Sequence, residues 1–297
     1  MTEGTSTTTG STVPRRQLGR HLRDLRNRSR LTVRAAATKL EWSEAKIWRI
    51  ETGQTAMRSF DVETMCKVYG APTDLTEGLM VLAKETKARG WWHSYDEVIT
   101  AGFDVYIGLE EAASHLSWYE SELVPGLLQT ENYARAVIRA NKPDEDEAKI
   151  EQRVQVRMAR QALLTRFTDP PVLPVVLNEA ILRRPVGGDT VMAHQLERLV
   201  AAGGLATVSL RVVPFTAGLH RGVMSGPFEI LRFPLNANGE ETEPPIVYIE
   251  GLTGALYLDK PPEVDRYDAV FANIWESALD EAASRELITQ VIRELNK

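Results

Sequence analysis

Between residues 17 and 87 the apolar residues recur at helical spacing, in five short segments rather than one long one. In the first segment Leu18, Leu22 and Leu25 fall on one helical face, and the segment ends near Ser29. The later segments place on their apolar faces Ala36, Ala37 and Leu40, then Ile47 and Ile50, then Val62, Met65 and Val68, and finally Leu75, Leu79 and Leu82. Helices this short are unstable alone in water. The pattern therefore predicts one small all-α domain of five helices that share a core.

Residues with helix-capping chemistry mark the boundaries of two of these helices. Thr32 and Ser43 each precede a helical segment, and a hydroxyl at that position accepts a hydrogen bond from a backbone N–H of the first turn. Gly53 follows the third segment, where glycine readily ends a helix. The second and third helices are therefore predicted to be joined by a very short turn.

The stretch LTVRAAATKLEWSEAKIWRIETGQTAMRS, residues 31–59, resembles the helix-turn-helix of the lambda-repressor-like family, also called the XRE family. That motif has a small residue where its two helices cross, a short turn and a final Ile-x-x-Ile-Glu-x-Gly phrase. The matching residues here are Ala36–Ala37, Glu41–Trp42, Ile47, Ile50, Glu51 and Gly53. The resemblance covers residues 17–70. It implies that residues 15–88 form a DNA-binding domain whose third helix enters the major groove.

The face of the third helix opposite its two isoleucines is predicted to contact base edges. It carries Glu44, Ala45, Trp48 and Arg49. Arg49 can donate two hydrogen bonds to guanine, Glu44 can accept one from a cytosine amino group, and Ala45 can contact a thymine methyl group.

Hydroxyl and basic residues around that helix are better placed for the sugar-phosphate backbone. They are Thr32, Arg34, Ser43, Lys46 and Arg58. Contacts of this kind fix the register of a protein on the duplex without reading its sequence.

Three of these positions also have a structural interpretation. Trp48 can pack against Trp42 or a neighbouring helix instead of DNA. Glu44 can simply offset the positive end of its helix. Glu41 stands where the resembling family usually has glycine, and a non-glycine residue at positive φ costs about 1 kcal/mol.

One pair of charged residues has a role implied only by the resemblance. In that family the glutamate of the final phrase pairs with an arginine of the first helix. Glu51 and Arg26 occupy the matching positions. The resemblance implies a structural ion pair between them.

Charge is distributed unevenly along the chain. The net charge is −6, yet residues 15–58 carry 12 Lys and Arg against four Asp and Glu, a net of +8. With Glu3 counted, residues 59–297 hold −13. Basic residues that face phosphates release condensed counterions, which drives sequence-independent DNA binding. A solvated basic surface is the alternative, and charge alone does not choose between the two.

The N-terminal residues, the absence of long apolar runs and the single cysteine together indicate the cellular compartment. Residues 1–14, MTEGTSTTTGSTVP, predict a disordered lead-in. No signal peptide and no apolar run of the roughly 18 residues needed for a membrane span is visible. Cys66 alone cannot form an intramolecular disulfide or a thiolate cluster. We expect a cytoplasmic protein with no membrane partner.

Residues 89–297 mix helical and strand patterns without regular alternation, which predicts a larger α+β domain. Helices are predicted at 131–140, 144–167, 189–201 and 262–283. Strands are predicted at 172–177, 207–213, 228–233, 246–250 and 255–258.

Several phrases of this region, among them WYESELVPGLLQTENYARAVI, LNEAILRRPVGG and IVYIEGLTGALYL, resemble a domain of unknown function. That domain follows an XRE-type helix-turn-helix in many actinobacterial regulators. Some of those regulators are described as antitoxin-like proteins that act with a small partner protein encoded nearby. The resemblance implies that this chain can act with such a partner; it does not show that one exists.

The C-terminal region shows no pattern typical of catalysis or metal binding, since HExxH, GxSxG, GxGxxG and P-loop motifs are absent from it. Polar residues at its strand ends can line an effector pocket or serve as surface groups and internal ion pairs. They are Glu179, Arg183, Arg184, His220 and Glu250. An apolar cluster can form an interface or ordinary core, and its members are Trp118, Tyr119, Pro125, Leu127 and Leu128. We expect no cofactor, no metal and no enzymatic activity.

Together these features favour a sequence-specific transcriptional regulator. One helix-turn-helix domain buries roughly 600–1,000 Å² on DNA, which is too little for tight binding alone. A homodimer on an inverted-repeat operator is therefore expected, with the C-terminal domain sensing an effector or binding a partner. The alternative is an antitoxin-like interaction module that binds a small partner protein and autoregulates its own operon.

Overall fold

A computed structural model describes residues 12–87, 90–100, 102–235, 239 and 241–296. The chain divides into two compact units, Met1–Asp96 with Thr100–Ala112, and Glu97–Ile99 with Ala113–Lys297. The described part of the first unit is helical, and the second combines helices with a six-stranded sheet. The predicted α+β class, with an all-α helix-turn-helix domain at the N-terminal end, is confirmed.

The five helices predicted for the first unit are all present. They are α1 (Thr12–Arg28), α2 (Val33–Leu40), α3 (Glu44–Glu51), α4 (Ser59–Tyr69) and α5 (Thr73–Glu85). A further helix, α6 (Phe103–Ala112), was not predicted. The core is formed by the predicted apolar faces, with Leu22, Ala36, Ile47, Val62 and Met65 fully buried. Helical periodicity therefore assigned the inward side of each helix correctly.

The start of α1 corrects one prediction. Residues 12–14 were assigned to a disordered lead-in, but they form the first turn of α1, in which Thr12 is buried. Thr12 packs against Gly108 of α6, where even a Cβ atom would overlap its hydroxyl. Residues 1–11 lie outside the described residues, as do residues 88 and 89. The predicted boundary after residue 88 stays a prediction.

The second unit is built on one mixed sheet. Its strands are β1 (His115–Glu120), β2 (Leu173–Asn178), β3 (Val208–Val213), β4 (Phe228–Arg232), β5 (Ile246–Gly251) and β6 (Gly254–Leu258). They lie in the order β3-β2-β1-β4-β5-β6. The first three strands run parallel, and β4, β5 and β6 continue the sheet antiparallel. Strand β1, at the centre, was not predicted.

The helices of the second unit are α7 (Glu131–Asn141), α8 (Glu147–Arg160), α9 (Glu179–Arg183), α10 (Asp189–Ala202), α11 (Arg221–Ser225), α12 (Pro261–Ser277) and α13 (Glu281–Leu295). Two predicted helices are too long. The prediction at 144–167 corresponds to α8 followed by a 3-10 turn, Gln161–Thr165. The prediction at 262–283 is broken at Ala278, which is extended, and Asp280 then caps α13 by accepting a hydrogen bond from Ala283 N at 2.8 Å.

The apolar cluster around the end of β1 belongs to the core. Trp118, Tyr119, Leu127 and Leu128 are all buried, and so is Pro125. Of the two readings left open by the sequence, the structure supports core packing. None of the described helices combines the length and apolar composition needed to cross a bilayer.

Candidate nucleic-acid interface

Both helices of the helix-turn-helix begin with a side-chain cap. Thr32 Oγ1 accepts a hydrogen bond from Ala35 N at 3.1 Å, and Ser43 Oγ accepts one from Lys46 N at 3.2 Å. Both capping residues are exposed. Each hydroxyl proton remains able to donate to a phosphate oxygen, because the cap uses only the oxygen as acceptor.

The turn between α2 and α3 uses a left-handed residue. Glu41 has φ 56° and ψ 35°, and its N–H is directed to the carbonyls of Ala37 and Thr38. Trp42 N donates to Ala37 O at 2.9 Å, which closes the end of α2. The position that usually holds glycine in the resembling family therefore has a glycine-like conformation here, with a side chain attached.

Replacing Glu41 with glycine is expected to raise the free energy of unfolding by about 0.5–1 kcal/mol, because it removes left-handed strain that exceeds the added freedom of the unfolded chain. Gly70→Ala is the matched control. Gly70 also ends a helix at positive φ (71°), and a Cβ atom added to it would meet no atom within 4 Å, so alanine should destabilise by strain alone. Thermal unfolding of the full chain measures both variants. A less stable Glu41→Gly protein would contradict this account.

The two faces of α3 differ sharply in exposure. Ile47 and Ile50 are buried in the first-unit core. Glu44, Ala45 and Arg49 are exposed, and Trp48 is 54% exposed. Trp48 therefore leaves more than half of its surface available, whatever it packs against within the unit. The residues predicted to read bases share one accessible face, and their roles on DNA stay predictions.

Packing of α1 against the end of α3 fixes the position of this face. A Cβ atom on Gly19 would lie 2.5 Å from Ile50 O and 2.9 Å from Glu51 O, so the two backbones meet without an intervening side chain. Sequence analysis did not single out Gly19. A glycine within the amphipathic pattern of α1 was the available signal, since it often marks close approach of another backbone.

Arg26 and Glu51 form a buried ion pair beneath the same end of α3. Arg26 Nε and Nη2 donate to the two carboxylate oxygens of Glu51 at 2.6 and 2.7 Å. The two side chains are only 9% and 5% exposed. Arg26 also donates to Leu31 O at 2.8 Å, so it connects α1, α3 and the segment before α2. The hydrogen bonds to Glu51 raise the pKa of the Arg26 guanidinium.

The basic residues predicted to contact phosphate lie on three consecutive helices, α2, α3 and the start of α4. Arg34 is exposed on α2, and Arg58 is exposed at the start of α4. Lys46 is partly buried, and its ammonium lies 3.3 Å from the centroid of the Trp42 ring. This cation–π contact was not predicted, and it holds the lysine near the N-terminal end of α3.

In the second unit, two of the residues predicted to line a pocket are paired with each other. Arg183 Nε donates to Glu179 Oε1 at 2.8 Å, and Phe215 N donates to the other oxygen of Glu179 at 2.8 Å. Arg183 also pairs with Glu294 at 3.0 Å. These contacts tie α9 to α13 and to the segment after β3, with Glu179 buried and the side chains of Arg183 and Glu294 37% and 40% exposed.

The other predicted pocket residues have separate surroundings. His220 is buried and caps α11, where its Nδ1 accepts a hydrogen bond from Gly222 N at 3.2 Å. Its burial lowers the pKa of His220. Arg184 pairs with Glu122 at 2.6 Å on the surface. Glu250 is exposed on β5, and β1 and β4 separate that strand from β2, a distance of about 14 Å. The effector pocket stays a prediction.

Comparison with protein families assigns both parts of the chain. A helix-turn-helix domain model matches residues 17–79. The model of a domain of unknown function, DUF5753, matches residues 103–290, well over half of the chain. The chain belongs to the DUF5753 family. Comparison with curated proteins and with solved structures gives no match.

The two matches agree with the resemblances found in the sequence. The helix-turn-helix domain indicates a DNA-binding regulator of the XRE-like kind, and the DUF5753 domain follows it. An actinobacterial origin and a link to antitoxins are not supported by these matches.

Among the described residues of the DUF5753 domain, Glu120 is a titratable group with a shifted pKa that sequence analysis did not identify. Glu120 is half-buried at the end of β1, and burial raises the pKa of its carboxyl to about 8. The negative charges of Glu250 and Glu122 act in the same direction, whereas a hydrogen bond from Trp118 Nε1 at 3.3 Å opposes them. The predicted pocket residue Glu250 therefore influences the charge of Glu120.

The contribution of Glu120 to stability should fall as pH rises from about 5 to 8, because the unfolded chain releases the Glu120 proton in this range while the folded chain retains it. Glu120→Gln should reduce that fall by roughly 1–2 kcal/mol, allowing for solvent screening at a half-buried site. Melting temperatures at pH 5.5 and 8 measure the effect. Glu276→Gln, at an exposed position of α12, should leave the fall unchanged. An equal pH dependence in Glu120→Gln and the parent would refute the assignment.

Proposed function

We propose that this protein is a sequence-specific transcriptional regulator that binds operator DNA as a homodimer. The observation that carries the proposal is the exposed face of α3, which is held from behind by Gly19 and the Arg26–Glu51 pair. In this proposal Glu44, Ala45, Trp48 and Arg49 contact base edges in the major groove.

The surroundings of that face supply the phosphate contacts. Thr32 and Ser43 donate hydroxyl protons from the N-terminal ends of α2 and α3, where the positive ends of the helix dipoles also attract phosphate. Arg34, Lys46 and Arg58 add positive charge. The net charge of +8 over residues 15–58 fits a surface that binds DNA with strong salt dependence.

The dimer follows from the size of the binding element. A single domain of this kind buries roughly 600–1,000 Å² on DNA, so two are needed for tight specific binding. Two-fold symmetry in the protein requires an inverted repeat with half-site centres about 34 Å apart, or a multiple of that. The DUF5753 domain senses an effector or binds a partner, and we assign it no catalytic activity. The cytoplasm, where the operator lies, is the proposed location.

Chromatin pull-down with sequencing tests the proposal, followed by footprinting of the purified full chain on the recovered fragment. We expect an enriched inverted repeat, protected on one face of the duplex with half-sites about one helical turn apart. Failure to enrich any sequence, together with equal affinity of the purified protein for all duplexes, would contradict it.

A further inference from the structure

Strands β6 and β3 form the two edges of the sheet. The two edges differ in whether backbone groups are hydrogen-bonded from outside the sheet. At the β3 edge, the backbone of Val212 is engaged from outside the sheet, since its carbonyl accepts from Leu279 N and its N–H donates to Ser284 Oγ, both at 2.9 Å. Strand β6 is paired with β5 on one side, and no other strand in the described part of the chain pairs with it. An open edge is a template for another strand.

We infer that β6 pairs antiparallel with β6 of a second copy, about a two-fold axis at Leu256, and so joins two sheets into one. This inference rests on the proposed function in one respect, because it names the surface by which the regulator forms its dimer. The pairing itself depends only on the residues of the β5–β6 hairpin.

The register of the hairpin determines which residues of β6 can lie on such a two-fold axis, and Leu256 is one of them. Gly251 and Gly254 close a two-residue loop, and closing pairs of such loops exchange hydrogen bonds. Pairs alternate along the ladder, so Leu256 is also hydrogen-bonded to its partner Ile249 on β5. On its open side Leu256 then occupies a position without hydrogen bonds, where directly opposed Cα atoms lie only about 4.5 Å apart.

The composition of the hairpin favours a second copy as the occupant. Residues 251–258, GLTGALYL, carry no charge, although residues 59–297 hold a net charge of −13. Two copies can therefore approach at this edge without opposing acidic groups. About an axis at Leu256, residues 254–258 pair with the same residues of the second copy, so no charged side chains are directly opposed within the paired strands.

The exposure of Leu256 and the absence of residues that normally protect an edge strand also favour pairing with a second copy. Leu256 is 57% exposed on this strand, and pairing about the axis brings the two leucines into contact. Natural edge strands are commonly protected by lysine, proline or a bulge. Strand β6, GALYL, contains neither lysine nor proline, and its pairing with β5 is continuous over five residues.

Disulfide trapping of the full chain tests the inference. Leu256→Cys should form an intermolecular disulfide under mild oxidation, because opposed Cα atoms at that spacing fall within disulfide range. Leu252→Cys and Met224→Cys are the controls. Both positions are more exposed (97% and 82%), yet Leu252 lies in the loop before β6 and Met224 lies on α11, outside the strand that pairs about the axis. The native Cys66 is buried, so it should contribute little background.

At least a tenfold faster cross-link in Leu256→Cys than in either control is the expected result. Faster cross-linking at position 252 or 224, or a parent protein that is monomeric at micromolar concentration, would overturn the inference.

A charge variant separates this inference from the proposed function. Leu256→Lys places like charges on the axis and should weaken the dimer at least tenfold by light scattering, while Leu252→Lys should not. Leu256→Lys should keep the parent affinity for a single half-site and lose the advantage of the full inverted repeat. An unaffected dimer would overturn the β6 pairing and leave DNA binding intact. Cross-linking at position 256 without any sequence-specific DNA binding would sustain the pairing and refute the proposed function.

Discussion

Replacing Glu51 with alanine is expected to lower the free energy of unfolding of the first unit by about 3–5 kcal/mol, because it leaves the Arg26 charge buried without its carboxylate. The loss should exceed that of any exposed ion pair. Helix α3 loses its fixed end at the same time, so under the proposed function DNA affinity should fall as well. Unfolding of the full chain, followed by hydrogen exchange of first-unit amides, measures the change.

The matched control is an ion pair of equal length at the surface. Arg184 and Glu122 also lie 2.6 Å apart, but their side chains are 47% and 63% exposed. Glu122→Ala should therefore cost less than about 1 kcal/mol. The double variant Arg26→Met/Glu51→Leu should recover much of the stability, since apolar residues replace both charges. Equally small losses of unfolding free energy in Glu51→Ala and Glu122→Ala would show that burial does not determine how much the Arg26–Glu51 pair stabilises the unit.

Arg49→Ala is expected to lose about 1–3 kcal/mol of discrimination at one base position, because only a base-reading residue distinguishes sequences. Lys46→Ala should instead weaken binding to all sequences alike. It should also reduce the salt slope, which is the dependence of the logarithm of the binding constant on the logarithm of the salt concentration, by about one. Binding of the full chain to the recovered operator and to its single-base variants, at several salt concentrations, measures both effects.

Lys84→Ala is the control for these two variants, since Lys84 is an exposed lysine on α5. It should leave both the discrimination and the salt slope unchanged. If Arg49→Ala and Lys46→Ala shifted every probe by the same factor, the division into base-reading and phosphate-contacting residues would be wrong.

The helices of the first unit could be predicted closely because the residues that define each helix lie close together in the sequence. Each short helix shows its apolar face within a few residues, and Thr32 and Ser43 mark helix starts by their own chemistry. The exposed face of α3 followed from the same periodicity. Gly19 did not, since its role depends on a contact with the backbone of α3, about 30 residues further along the chain.

The second unit was harder to predict because its central strand depends on distant partners. Strand β1, HLSWYE, contains no Val, Ile or Thr, the β-branched residues typical of strands, and Leu116, Ser117 and Tyr119 are buried on both of its faces. Its neighbours are β2 and β4, which lie far away in sequence. The break between α12 and α13 was missed for a similar reason, because Leu279 leaves the helix to donate to Val212 of β3.

The exposed face of α3 can be tested directly with a photoreactive amino acid placed in the full chain. With benzophenone-alanine at position 48, irradiation on the recovered operator should yield a covalent adduct within a half-site. At position 81, an exposed apolar position of similar accessibility on α5, it should yield none. Adducts from position 81 with none from position 48 would contradict the claim that α3 contacts DNA.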